Sequence, residues 1–188
     1  MIRKNLQGVN GYPIKYKEYI ELLSMLEIKG QQITDLPIIK PTTRLEADEL
    51  IDERDVEIKL IEPFFSFLGY SPIDWLRQMP VRMGRGERNF PDYCFSAKPT
   101  RGEETAEMIV EVKYEIKTQK QLQETYFQTK SYALRLQSTC FVIAAKEGIW
   151  IFQSKNGTFK MEDYIQYNWI DIENPDILHE LKRLIGKK

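Results

Sequence analysis

Four strand-length apolar runs, at residues 91–97, 108–116, 139–145 and 148–153, bracket one helix-length stretch, and this order narrows the fold more than any other feature of the chain. The stretch between the second and third runs opens with Thr118 and Gln121. Their spacing is that of a capping box, in which each side chain satisfies a backbone donor of the first helical turn, and it predicts a helix to about Leu136. A helical pattern precedes the strands and another follows them. Helices and strands interleaved in this way pack as a mixed sheet covered by helices, so the class is α/β.

Upstream, apolar residues at Tyr16, Tyr19, Ile20, Leu23, Met25, Leu26 and Ile28 suit an amphipathic helix that Gly30 stops. Residues 31–41, with Pro37 and Pro41, read as an extended connector. Thr43 and Glu46 form a second capping box, and the helix they open is expected to run to Gly69 with a kink or break at Pro63. A short strand is expected over 78–83, a polar turn over 84–87 and a further strand over 159–161. Asn174 and Pro175 have the form of a cap and first residue for a last helix over 176–185.

With a formal net charge of −1 the chain is no general polyanion binder. Its charge is uneven, however. From Arg77 to Arg101 the basic residues are Arg77, Arg82, Arg85, Arg88, Lys98 and Arg101 and the acidic ones Glu87 and Asp92, a local excess of +4. Such a loop can contact phosphates, and Arg82, Arg85 and Arg88 are the expected DNA contacts. Cys94 and Cys140 lie in apolar strand runs without a ligand partner nearby and are expected as buried free thiols. The single histidine, His179, sits in the last helix, which leaves no imidazole for chemistry elsewhere. No apolar run is long enough to span a bilayer, and a cytoplasmic location is expected.

The residues that carry chemistry are Pro91-Asp92 and Glu111-Val112-Lys113. In a strand, alternate side chains share a face, so Glu111 and Lys113 point together while Val110 and Val112 point into apolar packing. If 91–97 and 108–113 form a hairpin centred near Gly102, Asp92 lies opposite residues 111–113. Two carboxylates and an ammonium then meet. Oxygen ligands from Asp92 and Glu111, with the main-chain carbonyl of Val112, suit Mg²⁺, for which Mn²⁺ can substitute.

On these residues the sequence resembles the PD-(D/E)xK nuclease superfamily, and more closely the N-terminal nuclease domain of type I restriction enzyme R subunits and related restriction endonucleases. The likeness also rests on the acidic run Glu53 to Phe65 ending in Leu68-Gly69-Tyr70, on Gln128 with Tyr132, and on the two closing strands. It covers about residues 46–153. It implies a restriction-endonuclease-like mixed central β-sheet flanked by helices over 41–188, with residues 1–40 as an N-terminal helical extension. It further implies divalent metal, hydrolysis of DNA, metal held by Asp92 and Glu111, a water assisted by Lys113, and Gln128 near the scissile phosphate. An acid of the first helix completes the site in that family. Glu53 and Glu57 both qualify, with a slight preference for Glu57. A specificity or motor subunit, or a second copy of the chain, is an expected partner. A non-cleaving nucleic-acid-binding or structural module on the same fold is the alternative.

Overall fold

The computed structural model describes residues 21, 22, 24–26, 28–30, 50–84 and 88–187. The chain divides into two units, Met1–Pro41 and Thr42–Lys188. In the first, the described positions from 21 to 28 are helical, and Gly30 adopts a left-handed φ of 73° where the helix ends. The Thr43–Glu46 capping box lies outside the described residues.

In the second unit, one helix (α1) runs through Glu53–Asp55, a π-helical turn over Val56–Ile61, and Glu62–Phe67. It does not continue from Thr43, because residues 50–52 are not helical. A fresh cap explains the new start: the Asp52 carboxylate accepts the Asp55 N–H at 2.9 Å, and the Asp55 carboxylate accepts the Ile51 N–H at 2.9 Å. Pro63 does not divide α1. Proline has no N–H, and in an α-turn its ring would press on the carbonyl of Lys59. The chain widens just before it, so that the Glu62 N–H reaches the Glu57 carbonyl five residues back. Gly69, at φ 93°, ends the helix as expected.

Six strands form the main sheet, in the order β1-β4-β5-β6-β7-β8. They are β1 (Trp75–Arg77), β4 (Tyr93–Phe95), β5 (Met108–Val112), β6 (Cys140–Ala145), β7 (Gly148–Gln153) and β8 (Tyr164–Tyr167). β5 and β6 are parallel, linked by helix α2 (Gln119–Arg135), and the other neighbours are antiparallel. A separate ribbon pairs β2 (Val81–Arg82) with β3 (Arg88–Asn89). Two helices close the chain, α3 (Trp169–Ile172) and α4 (Pro175–Ile185), the latter capped by Asn174. Both arms of the Thr118–Gln121 capping box are present.

The sheet is therefore mixed and flanked by helices. On one face Tyr93, Phe95, Val110, Val112 and Val142 pack against Val56, Leu60 and Phe64 of α1 and Leu181 of α4. On the other, Cys94, Ile109, Phe141 and Ile143 pack against Leu122, Tyr126 and Ala133 of α2. Both cysteines are buried and free. Trp75, Trp150 and Trp169 are core residues. Among the described residues no helix is long and apolar enough to cross a membrane.

Three strand expectations need correction. The run over 78–83 contributes only β2, and to the ribbon rather than the main sheet. The strand expected over 159–161 lies at β8; Phe159 instead caps the α2 face, its carbonyl accepting from the Tyr126 hydroxyl at 2.7 Å and the Lys130 ammonium at 2.8 Å. β1, which sequence reading missed, has only three residues and exists because β4 pairs with it.

Candidate metal and catalytic site

The hairpin β4–β5 pairs Tyr93 with Val110, Cys94 with Ile109 and Phe95 with Met108. The isolated bridge between Lys98 and Thr105 keeps the same register toward the turn, so the irregular step at Ser96, whose φ is 49°, causes no net slip. One step the other way, this register sets Asp92 opposite Glu111. Cys94 and Ile109 face α2. By strand alternation Asp92, Glu111 and Lys113 face α2 as well. The expected meeting of two acids and an amine is present.

Its hydrogen bonds fix the geometry. Asp92 Oδ2 accepts the Val112 N–H at 2.7 Å. Glu111 Oε1 accepts from Lys113 Nζ at 2.9 Å and from Gln128 Nε2 at 3.0 Å. Gln128 Nε2 also donates to the Tyr132 hydroxyl at 3.0 Å. Gln128 thus grips Glu111, while Tyr132 is a core residue that braces the glutamine. Glu111 Oε2 is buried and has no hydrogen-bond partner.

That bare oxygen matters, because a buried carboxylate with an unsatisfied atom is costly unless something binds it. Burial, and then the neighbouring Asp92 charge, push the Glu111 carboxyl up to about 7, against the pull of Lys113. Burial raises Asp92 too, partly offset by the Val112 N–H and by Lys113. Lys113 stays an ammonium: burial works against its charge, but Glu111, Glu53 and Asp92 together outweigh burial and raise it.

α1 reaches the site with its N-terminal end, and here the two glutamates part. Glu57 is buried and bound by Arg54 and Arg77. Arg77 also meets Glu62 and lies over the Tyr93 ring at 5.1 Å. Glu53 carries no arginine. Its carboxyl is raised, first by burial, with Lys113 and the Tyr114 backbone pulling it down and Asp92 and Glu57 pushing it up. Glu53 also acts on the charges of Glu111 and Lys113, whereas Glu57 acts on Asp92. Of the two glutamates, Glu57 is the one engaged by arginines, while Glu53, among the described residues, has no ion pair.

The basic segment also sorts itself. Arg77 belongs to the Glu57 network. Arg82 and Arg88 are exposed and directly opposed across the ribbon. Arg85 lies outside the described residues. Sequence reading missed the tie between Glu57, Arg54 and Arg77: Arg54 is one turn away on α1, but Arg77 sits on β1, which only folding brings to Glu57.

All donors at the site are oxygens. Among the described residues no three His, Cys, Asp or Glu side chains are grouped closely enough to hold a metal ion by themselves. Two carboxylates still fit Mg²⁺, which keeps several waters and commonly takes only one or two carboxylates from a protein. The unpartnered Oε2 is the position such an ion would take. No family model matches the chain, and no curated protein or solved structure matches it.

Proposed function

We propose that this protein is a metal-dependent endonuclease domain with a restriction-endonuclease-like fold, hydrolysing DNA phosphodiester bonds in a restriction or related defence system. The observation that carries the reading is the buried, unpartnered Glu111 Oε2 beside Asp92, with Lys113 two residues on. A buried carboxylate oxygen without a partner costs stability, and a bound cation would offset that cost.

Asp92, Glu111 and the Val112 carbonyl would hold Mg²⁺ or Mn²⁺. When bound, the ion supplies charge that polarises a phosphate oxygen and acidifies a water. Gln128 keeps the Glu111 carboxylate turned so that Oε2 stays available. Lys113, held protonated by the surrounding acids, orients the attacking water and neutralises charge growing on the phosphate. Glu53 borders the same space and can accept a hydrogen bond from that water. Asp92 is fixed by the Val112 amide, so its second oxygen needs no reorganisation to bind a cation.

The test is cleavage of plasmid DNA with Mg²⁺ or Mn²⁺ by the full chain and by Lys113→Ala. Cleavage by the parent, its loss in the variant and an unchanged circular dichroism spectrum are expected. A variant that cuts as fast as the parent removes Lys113 from the mechanism. Metal-independent DNA binding without any cleavage would favour the non-cleaving module instead.

A further inference from the structure

The ribbon β2–β3 stands on the same face of the sheet as the site. Val81 and Met79 at its base are buried against the α2 face, beside Tyr132 and Ala133. Arg135 of α2 braces it: Nε donates to the Arg82 carbonyl at 3.1 Å, and the guanidinium pairs with buried Glu104 at 2.8 Å. The ribbon is therefore anchored to the helix that supplies Gln128.

Its exposed surface is unusual. Arg82 and Arg88 are cross-strand partners, and among the described residues neither has an ion pair. Like charges placed directly opposite repel, so the pair costs stability unless an anion lies between or over it. Two residues beyond Arg88 comes Phe90, 51% exposed, with no ring partner among the described residues. Phe90 precedes Asp92 by two positions, at most about 7 Å of backbone. A phosphate-seeking pair, a free aromatic face and a catalytic acid thus follow one another along one short segment.

Resting on the nuclease reading, we propose that this segment binds an unpaired DNA strand, with Arg82 and Arg88 on its phosphates and Phe90 stacked on a base next to the scissile bond. Only an unstacked base offers its face to a side chain. In an intact duplex the neighbouring bases cover both faces, and Phe90 would meet only the backbone or a groove edge. The substrate class is therefore single-stranded DNA or a duplex with a frayed, flapped or mismatched position. Stacking on an aromatic side chain is tolerant of base identity, so this contact contributes affinity and position rather than a recognition sequence.

Binding is measured in EDTA by fluorescence anisotropy, with the full chain and two probes: a labelled short oligothymidine and a labelled blunt hairpin duplex. Cleavage plays no part in the readout, so a failure of this inference is seen separately from a failure of the nuclease reading. The parent is expected to prefer the oligothymidine. Phe90→Ala, at an exposed position, should weaken oligothymidine binding about tenfold and leave duplex binding unchanged. Phe90→Leu, apolar but without a π face, should behave like the alanine variant, and Phe90→Trp should bind at least as well as the parent. Arg88→Ala should lower the slope of binding against salt on the same probe. Equal binding of the two probes by the parent, or full affinity in both Phe90→Ala and Phe90→Leu, overturns the proposal.

Discussion

Glu111→Gln separates a functional carboxylate from a structural one, because the two readings demand opposite pH dependences of stability. In the folded protein the Glu111 carboxyl is raised from 4.5 to about 7, mainly by burial. As pH rises through that interval the unfolded chain loses its proton first, so the folded state binds more protons and stability falls. A shift of this size corresponds to about 3 kcal/mol at 1.36 kcal/mol per pH unit. Below about pH 4.5 the penalty vanishes, and above about pH 7 it is complete. Glutamine keeps the acceptor that Lys113 and Gln128 use but carries no charge at any pH. Whatever fixed cost the amide adds, the stability gap should move by about 3 kcal/mol toward the variant between these limits. For a chain of this length that is a relative gain of about 6–12 °C in melting temperature. The assay is thermal unfolding followed by circular dichroism in EDTA, across that pH range. Adding Mn²⁺ above pH 7 should then raise the parent's midpoint and leave the variant's alone, since bound ligand stabilises only a state that binds it. A gap that does not change with pH, or one that moves toward the parent, refutes the reasoning: Glu111 would then be an ordinary partner of Lys113.

Two further substitutions probe the surroundings. Glu53→Gln should reduce cleavage while changing the melting temperature little, whereas Glu57→Gln should cost about 2 kcal/mol in denaturant unfolding, because it removes the buried carboxylate that Arg54 and Arg77 share and leaves Arg77 with Glu62 alone. Equal effects on stability would mean the two acids do not divide the roles as described. Gly148→Ala should destabilise the fold by several kcal/mol, since an added Cβ would lie 2.2 Å from the Tyr167 carbonyl and φ is 147°. An unchanged unfolding midpoint would show that β8 does not press on the β6–β7 turn.

Much of this arrangement could be read from the sequence because it depends on neighbours along the chain. The hairpin register follows from the positions of two apolar runs and the turn between them, and it survives because the irregular step at Ser96 adds no net residue. Strand alternation then places Glu111 and Lys113 on one face. Capping chemistry at Thr118 and Asn174 sets the starts of α2 and α4. The cysteines and tryptophans follow their apolar surroundings into the core.

Tertiary structure decided what depends on distant partners. β1 is a strand only because β4 lends it hydrogen bonds. Glu53 and Glu57 are equivalent on a helical wheel. The docking of α1 against β1 gives Glu57 to Arg77. Gln128 is exposed yet holds Glu111, a consequence of where α2 lies on the sheet. Local spacing determines which side chains share a face, because backbone geometry repeats along a strand or helix. Which of them become paired, buried or bare is determined by long-range packing, and the unpartnered oxygen of Glu111 exists only at that level.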